Sequence, residues 1–302
     1  MKGKSETLLL ALMLSFTLQV SGQNIVVVHK NTATNEENDK REVLDKVKYR
    51  ITYASKIVND TTKRDSTGGY DYSTDDMRLD VGASVSKFYS ARTAEFDKWM
   101  DDKIARGETD FTQLPPHPNI TWIVYRNYPT GQTSFLSDAM MDYYRISETT
   151  VTPKWTISPD TCTLLGYHCT KAETYFKGRH WTAWFTDDIP LNEGPWKLIG
   201  LPGLILKAED AQKQFIFAAS GLEQTDGKED ITLVKNYKKY EPVTQKQFDK
   251  INRTSSAADA LKAAGITISA TNVTVAGGDG DTNDVLNKLN DVPPYNPIEI
   301  AE

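Results

Sequence analysis

The residues best equipped for chemistry in this chain are two cysteines and two histidines. They lie in CTLLGYHC, Cys162 to Cys169, with His168 inside it and His180 eleven residues on. Four ligands of these types could hold zinc, but the spacing matches no standard zinc pattern, and adjacent His168 and Cys169 diverge if they lie on a strand. In an oxidising compartment the same two thiols close one small loop, so a Cys162–Cys169 disulfide is the expected form, with free thiols as the other outcome. His180, in GRHW, is the histidine best placed for a pocket. A hydrolase built on it would need a nearby acid such as Asp187, and neighbouring Asp187 and Asp188 diverge on extended chain. No G-x-S-x-G, H-E-x-x-H or G-x-x-x-x-G-K occurs, so no catalytic residue set and no cofactor is expected. DGDTND at 279–284 begins like a calcium loop, but Asp284 stands at the turn glycine's place and Asn290 at that of the bidentate Glu.

The segment GPWKLIGLPGLIL, 194–206, carries the strongest backbone constraints. Pro195, Gly200, Pro202 and Gly203 make it a turning segment, and Pro202-Gly203 suits the centre of a type II turn, in which glycine takes a positive φ. Its apolar residues are too many for an exposed loop. Together with the aromatic run before it, they make Trp181, Trp184, Trp196, Leu201 and Leu204 the candidate lining for an apolar ligand.

Strands must position these residues. Val47, Tyr49, Ile51 and Tyr53 alternate, as do Leu79, Val81, Ala83 and Val85, with Phe88-Tyr89 closing the second run. A helix is expected over 94–106, ended by Gly107, and LPPHP is a stiff connector. Residues 120–128 and 132–136 read as a hairpin around PTGQ, with further strands at 144–150 and 155–157. The aromatic stretch 167–188 breaks into two strands at Lys177-Gly178. Short strands at 204–208 and 215–219 flank EDAQK, and Thr244 and Gln247 form a capping box for a helix over 243–251. Another short helix is expected over 257–264. The fold class is mainly β: a curved antiparallel sheet or half-open barrel with a few short helices and a flexible C-terminal tail.

The whole chain has 302 residues, with 35 Lys+Arg against 41 Asp+Glu. Its charge is distributed unevenly. Residues 254–302 hold two lysines and seven acids and one aromatic residue, Tyr295, so the acidity is mostly a property of this tail. The absence of a basic cluster argues against nucleic acid. At the other end, Lys2 and Lys4 precede an apolar run from Leu8 to Val20 and the small residues Ser21-Gly22, the pattern of a signal peptide cut ahead of Gln23. The expected domains are therefore a 1–22 leader, one β-rich domain at 23–253, and a 254–302 tail. No later stretch is long and apolar enough to span a bilayer as a helix. Asp60-Thr61-Thr62 and Asp65-Ser66-Thr67 add two short Asp-Ser/Thr motifs of the kind used for O-glycosylation in some bacteria.

GLPGLI at 200–205, preceded by GPWK and by FKGRHWTAWFTDDIP at 176–190, resembles the GLPGLI family of exported proteins from Gram-negative bacteria, and the YNPIEI ending at 295–300 is similar to the close of many members. The resemblance implies the cell envelope, either periplasm or outer-membrane associated and extracellular. By fold analogy it implies an open barrel that shelters an apolar ligand. The function expected is non-catalytic binding of an apolar or amphipathic ligand or of an outer-membrane protein, with a periplasmic hydrolase or a structural assembly component as the alternatives.

Overall fold

A computed structural model describes residues 13–20, 23–30, 41–108, 115–139, 142–235, 237–263, 287 and 289–300. The chain divides into two compact units, one of residues 1–40 and 252–293 and the other of 41–251 and 294–302. In the first, β1 (Met13–Val20) and β2 (Gln23–Lys30) pair antiparallel, the expected cleavage point falling just ahead of β2, and α3 (Ala257–Ala263) provides the short helix expected near the start of the tail. The DGDTND sequence lies outside the described residues.

The second unit holds the sheet. Its strands are β4 (Tyr49–Ile57), β5 (Ser73–Val81), β6 (Ser86–Ser90), β7 (Ile123–Arg126), β8 (Gln132–Ala139), β9 (Asp142–Thr149), β10 (Thr156–Leu164), β11 (Tyr167–Phe176), β12 (Arg179–Thr186), β13 (Leu204–Asp210), β14 (Phe215–Gln224) and β16 (Glu241–Pro242). A separate two-stranded ladder joins β3 (Val43–Lys46) to β15 (Asp230–Thr232). The twelve strands form two antiparallel meanders, β4 to β9 and β10 to β14, in which each strand pairs with its sequence neighbour. Pairing of β14 with β4 joins them. The short β16 adds to β9 in parallel, which makes the sheet mixed, and it does not close into a barrel. Among the described residues, no helix is long and apolar enough to cross a membrane.

Period-two alternation explains how the sheet is covered on both sides. Ile51 and Tyr53, Met77 and Leu79, Phe88, Val124, Trp181 and Ala183, and Phe217 all enter one large core, each within 1% exposure. The residues next to some of these in sequence, Tyr89, Ile123, Tyr125 and Leu136, form a smaller cluster with Leu233.

Helix α1 (Ala91–Ala105) starts three residues earlier than its apolar spacing indicates because the Ser90 hydroxyl caps it, accepting from the Arg92 amide at 3.2 Å. The capping box at Thr244 and Gln247 forms at the head of α2 (Gln245–Thr254), with the Thr244 amide donating to Gln247 Oε1 at 2.8 Å.

The alternation from Leu79 to Tyr89 is not one strand but the two arms of the β5–β6 hairpin, and a distant side chain explains the break. Asp45 Oδ2 accepts from the amides of Ser84 (2.7 Å) and Val85 (3.1 Å) and from the Ser84 hydroxyl (3.0 Å). Burial alone would raise the Asp45 carboxyl, but these donors and the Lys46 amide outweigh it and lower its pKa to about 2. Because the folded value lies below the unfolded one, the stabilisation is complete above about pH 4 and is lost as pH falls toward 2. Solvent screening limits it to roughly 1 kcal/mol. Asp45→Asn should therefore lower stability at pH 7 by about that amount and flatten this part of the acid limb in urea titrations between pH 4 and 2. An unchanged acid limb would refute the assignment.

Candidate functional site

The GPWKLIGLPG segment is anchored from three sides. Arg126, the last residue of β7 and 4% exposed, donates through Nε to Ser86 Oγ (2.8 Å) and through one Nη to the carbonyls of Gly194 (2.9 Å) and Trp196 (2.8 Å). Its other Nη pairs with Glu193 Oε2 at 2.5 Å. The Tyr53 hydroxyl donates to the Ile205 carbonyl at 2.7 Å, and Trp155 Nε1 to that of Ile199 at 2.8 Å. These contacts hold Trp196 at φ 52°, a left-handed conformation that costs a side-chain-bearing residue about 1–2 kcal/mol.

The expected type II turn at Pro202-Gly203 does not form with a left-handed Gly203. Of the segment's glycines, Gly200 is the one with positive φ, at 90°. Gly203 is required for space instead, since a Cβ there would lie 1.8 Å from the Thr186 carbonyl oxygen. Pro195 is buried and Pro202 exposed.

Four of the five residues read as an apolar lining are packed core. Trp181, Trp196, Leu201 and Leu204 are at most 1% exposed. Trp196 lies 5.3 Å from Trp181 and 5.9 Å from Phe176 between ring centroids, and Trp181 stacks on Phe217 at 6.5 Å. The indole N–H groups of Trp181 and Trp196 are buried without a partner, a cost on the order of 1–3 kcal/mol each unless water reaches them. Trp184 stands apart, half-buried between Lys171 of β11 and Lys207 of β13.

Strand pleating also separates the candidate catalytic groups. His180 is exposed, its ring 4.8 Å from that of Tyr175, and makes no hydrogen bond or ion pair with an acid among the described residues. Asp187 lies just past the end of β12, seven residues on from His180 at the strand's other end, and six residues of strand alone span about 20 Å. Cys162 and Cys169 are directly opposite one another in the β10–β11 hairpin as free thiols. Cys169 is the more buried, which pushes its thiol up to about 11. His168 is exposed while Cys169 is fully buried, as pleating requires of neighbours.

On the face of the smaller cluster, the structure gathers a group of tyrosines not recognised as a group in the sequence. Tyr125 and Tyr128 lie 6.1 Å apart, Tyr128 and Tyr237 5.9 Å, Tyr237 and Tyr240 6.4 Å, and Tyr240 and Tyr143 5.2 Å. Cations sit against this chain of rings: Lys87 Nζ is 4.5 Å from the Tyr89 centroid and 5.4 Å from that of Tyr125, and the Arg145 guanidinium is 4.7 Å from Tyr237. Burial lowers the Lys87 amine to about 8, against the opposing pull of Asp97 and Asp80. Burial likewise raises Tyr240. Among the described residues the buried Tyr237 hydroxyl has no hydrogen-bond partner, while Tyr143 at the end of the row is 48% exposed. Tyr89 and Tyr125 are buried and their hydroxyls donate to Asp80 and the Thr232 carbonyl, so the accessible part of the row is its outer end, where exposed Tyr143 and half-buried Tyr240 and Tyr237 can stack on rings or acyl chains.

A family of unknown function covers the turn segment. A model described as "Protein of unknown function (Porph_ging)", an uncharacterised family found in Bacteroidetes, matches residues 173–207, from within β11 to within β13. No curated protein matches the chain. Two solved structures of PNGF-II, in space groups P21 and C2, are similar at 16% identity, with TM-scores of 0.40 and 0.41. Each match covers 67% of this chain, which spans 32% of the PNGF-II chain.

The matched stretch contains the anchored turn and none of the tyrosine row. Tyr237 and Tyr240 come from a segment with no alternation, around a single 3-10 turn at Tyr237–Lys239, so local spacing carried no signal for them. The group of six tyrosines becomes visible only when β6, β7, β8 and β9 are placed in order in the sheet and the 237–240 segment is laid against them.

Proposed function

We propose that this chain is an exported cell-envelope protein of the GLPGLI family that acts without catalysis, holding an amphipathic ligand on the tyrosine face of its sheet. The observation that carries this reading is the Tyr237 hydroxyl, buried and without a hydrogen-bond partner among the described residues, within a row of rings that ends at exposed Tyr143. A buried hydroxyl without a partner is costly, and a polar ligand group beside an apolar body would satisfy both it and the rings. The earlier candidates Trp181, Trp196, Leu201 and Leu204 support a framework role, because a ligand would have to displace the core to reach them. The distance from His180 to Asp187 gives the hydrolase alternative little support.

Export is supported by Lys2 and Lys4, the apolar run to Val20 and the small residues to Gly22. It would expose Cys162 and Cys169 to oxidation, and their directly opposite positions favour a disulfide there. Periplasm or the outer-membrane surface is the proposed address.

Titration of the purified mature protein with a dansylated fatty acid tests the reading. Saturable binding is expected, weakened at least tenfold by the double change Tyr237→Phe and Tyr143→Ala and unaffected by Trp184→Ala. Intact mass on the same sample should show a chain starting at Gln23 and two hydrogens lighter than the dithiol. If the probe does not bind but an outer-membrane protein is crosslinked through Tyr143, the partner version replaces the ligand version. Absence of both rules out a binding role for this face.

A further inference from the structure

Residues 294–300 return to the sheet-bearing unit after the chain has passed through the other unit at 252–293. They are held chiefly by side chains. Arg179, 4% exposed, donates through Nε to the Ile298 carbonyl (3.2 Å), and through one Nη to Asn296 Oδ1 (2.9 Å) and the Pro297 carbonyl (2.5 Å). Its remaining Nη pairs with Asp210 at 2.9 Å and donates to Gln214 Oε1 at 3.1 Å, so the segment takes only the donors that these two leave over. Asn296 donates to the Val58 carbonyl at 2.7 Å. Glu299, also 4% exposed, bonds Lys197 and lies 3.4 Å from Lys177. Both lysines share Glu148, at 2.8 and 2.5 Å. At Gly178 a Cβ would stand 2.5 Å from that of Ile300, so the β11–β12 turn leaves room for this segment.

Charge and hydrogen bonding show that the receiving surface is incomplete by itself. Without the segment, Lys177, Arg179 and Lys197 face Glu148 and Asp210, one positive charge in excess at a largely buried place. Glu299 restores neutrality, and three acceptors of the segment satisfy Arg179 donors that Asp210 and Gln214 leave over. Seating the segment buries these cations, and an unbalanced buried charge is strongly unfavourable, so the segment has to bring a carboxylate with it.

We propose that the Lys177–Arg179–Lys197 surface is a binding site for an acidic peptide segment of the form Asn-Pro-Ile-Glu-Ile, filled in cis by the chain's own residues 296–300 and open in trans to those of a second copy. Tethering gives the cis segment an effective concentration in the millimolar range, so it holds the site in the intact chain. The inference does not depend on the tyrosine face.

The test uses the full-length chain carrying Glu299→Lys, in which repulsion from Lys177 and Lys197 displaces the segment. A fluorescein-labelled peptide of residues 294–302 should then bind saturably by anisotropy. Binding to the wild-type chain should be at least tenfold weaker because its site is occupied. The same peptide with Glu299→Gln should lose at least tenfold in affinity for the variant. Failure to bind a variant with a wild-type circular dichroism spectrum would overturn the proposal, as would equal binding to both chains. A variant that is unfolded and not refolded by the peptide would also overturn it, because the segment would then be an integral part of the fold.

Discussion

Gly203→Ala is expected to remove most of the stability of the sheet-bearing unit, on the order of 4 kcal/mol or more, a large share of the roughly 5–15 kcal/mol that holds a typical domain together. The added methyl carbon would sit 1.8 Å from the Thr186 carbonyl oxygen and its Cα neighbour Asp187 would be 2.9 Å away. Both are backbone atoms. Neither can swing aside as a side chain would, and separating the strands would disturb the Thr186–Leu204 pairing that starts the β12–β13 ladder. Pro202→Ala provides the contrast within the same motif. Pro202 is exposed, and losing its φ restraint acts mainly on the unfolded chain, at about 1 kcal/mol or less. Urea denaturation of the two variants separates the effects, and a Gly203→Ala chain within 1 kcal/mol of wild type would show that the strands separate easily.

Arg126→Met should cost about 3–5 kcal/mol, the usual range when one member of a buried ion pair is removed. Methionine keeps much of the volume but leaves Glu193 without its cation, and the Gly194 and Trp196 carbonyls without their donor. The Trp196 carbonyl matters most, because that residue's left-handed backbone is held against its own preference. Arg126→Lys should recover less than half of the loss, since one ammonium cannot span four acceptors arranged for a planar fork. Adding Glu193→Gln to Arg126→Met should restore part of the stability by removing the uncompensated carboxylate. Denaturant midpoints for these variants check the prediction, and equal stability of the single and double variants would contradict the charge argument.

Much of the framework was legible without coordinates. Alternation in VKYRITY, the break at Lys177-Gly178, the hairpin around PTGQ and the Thr244–Gln247 capping box each depend on neighbours a few residues apart, and each formed. The single strand read from Leu79 to Tyr89 failed because its interruption is made by Asp45, about forty residues away. The packing of Trp181 and Trp196 was not legible for a related reason. Alternation reports that Trp181 faces inward, but inward is the same for a packed core and a ligand pocket, and only the rings that meet it, Trp196 and Phe217, distinguish the two.

The sequence by itself determined the β-rich class, the hairpin around PTGQ, the break at Lys177-Gly178, the Thr244–Gln247 capping box and the buried glycine-proline segment, because these follow from side-chain period and backbone sterics within a short window. Only the tertiary structure decided that β4 pairs with β14, that the sheet remains open, and that six tyrosines share a face. It also decided that Arg179 and Glu299 meet partners more than 100 residues away. Those contacts join segments with no local relationship, and their geometry is set by how the two meanders pack together.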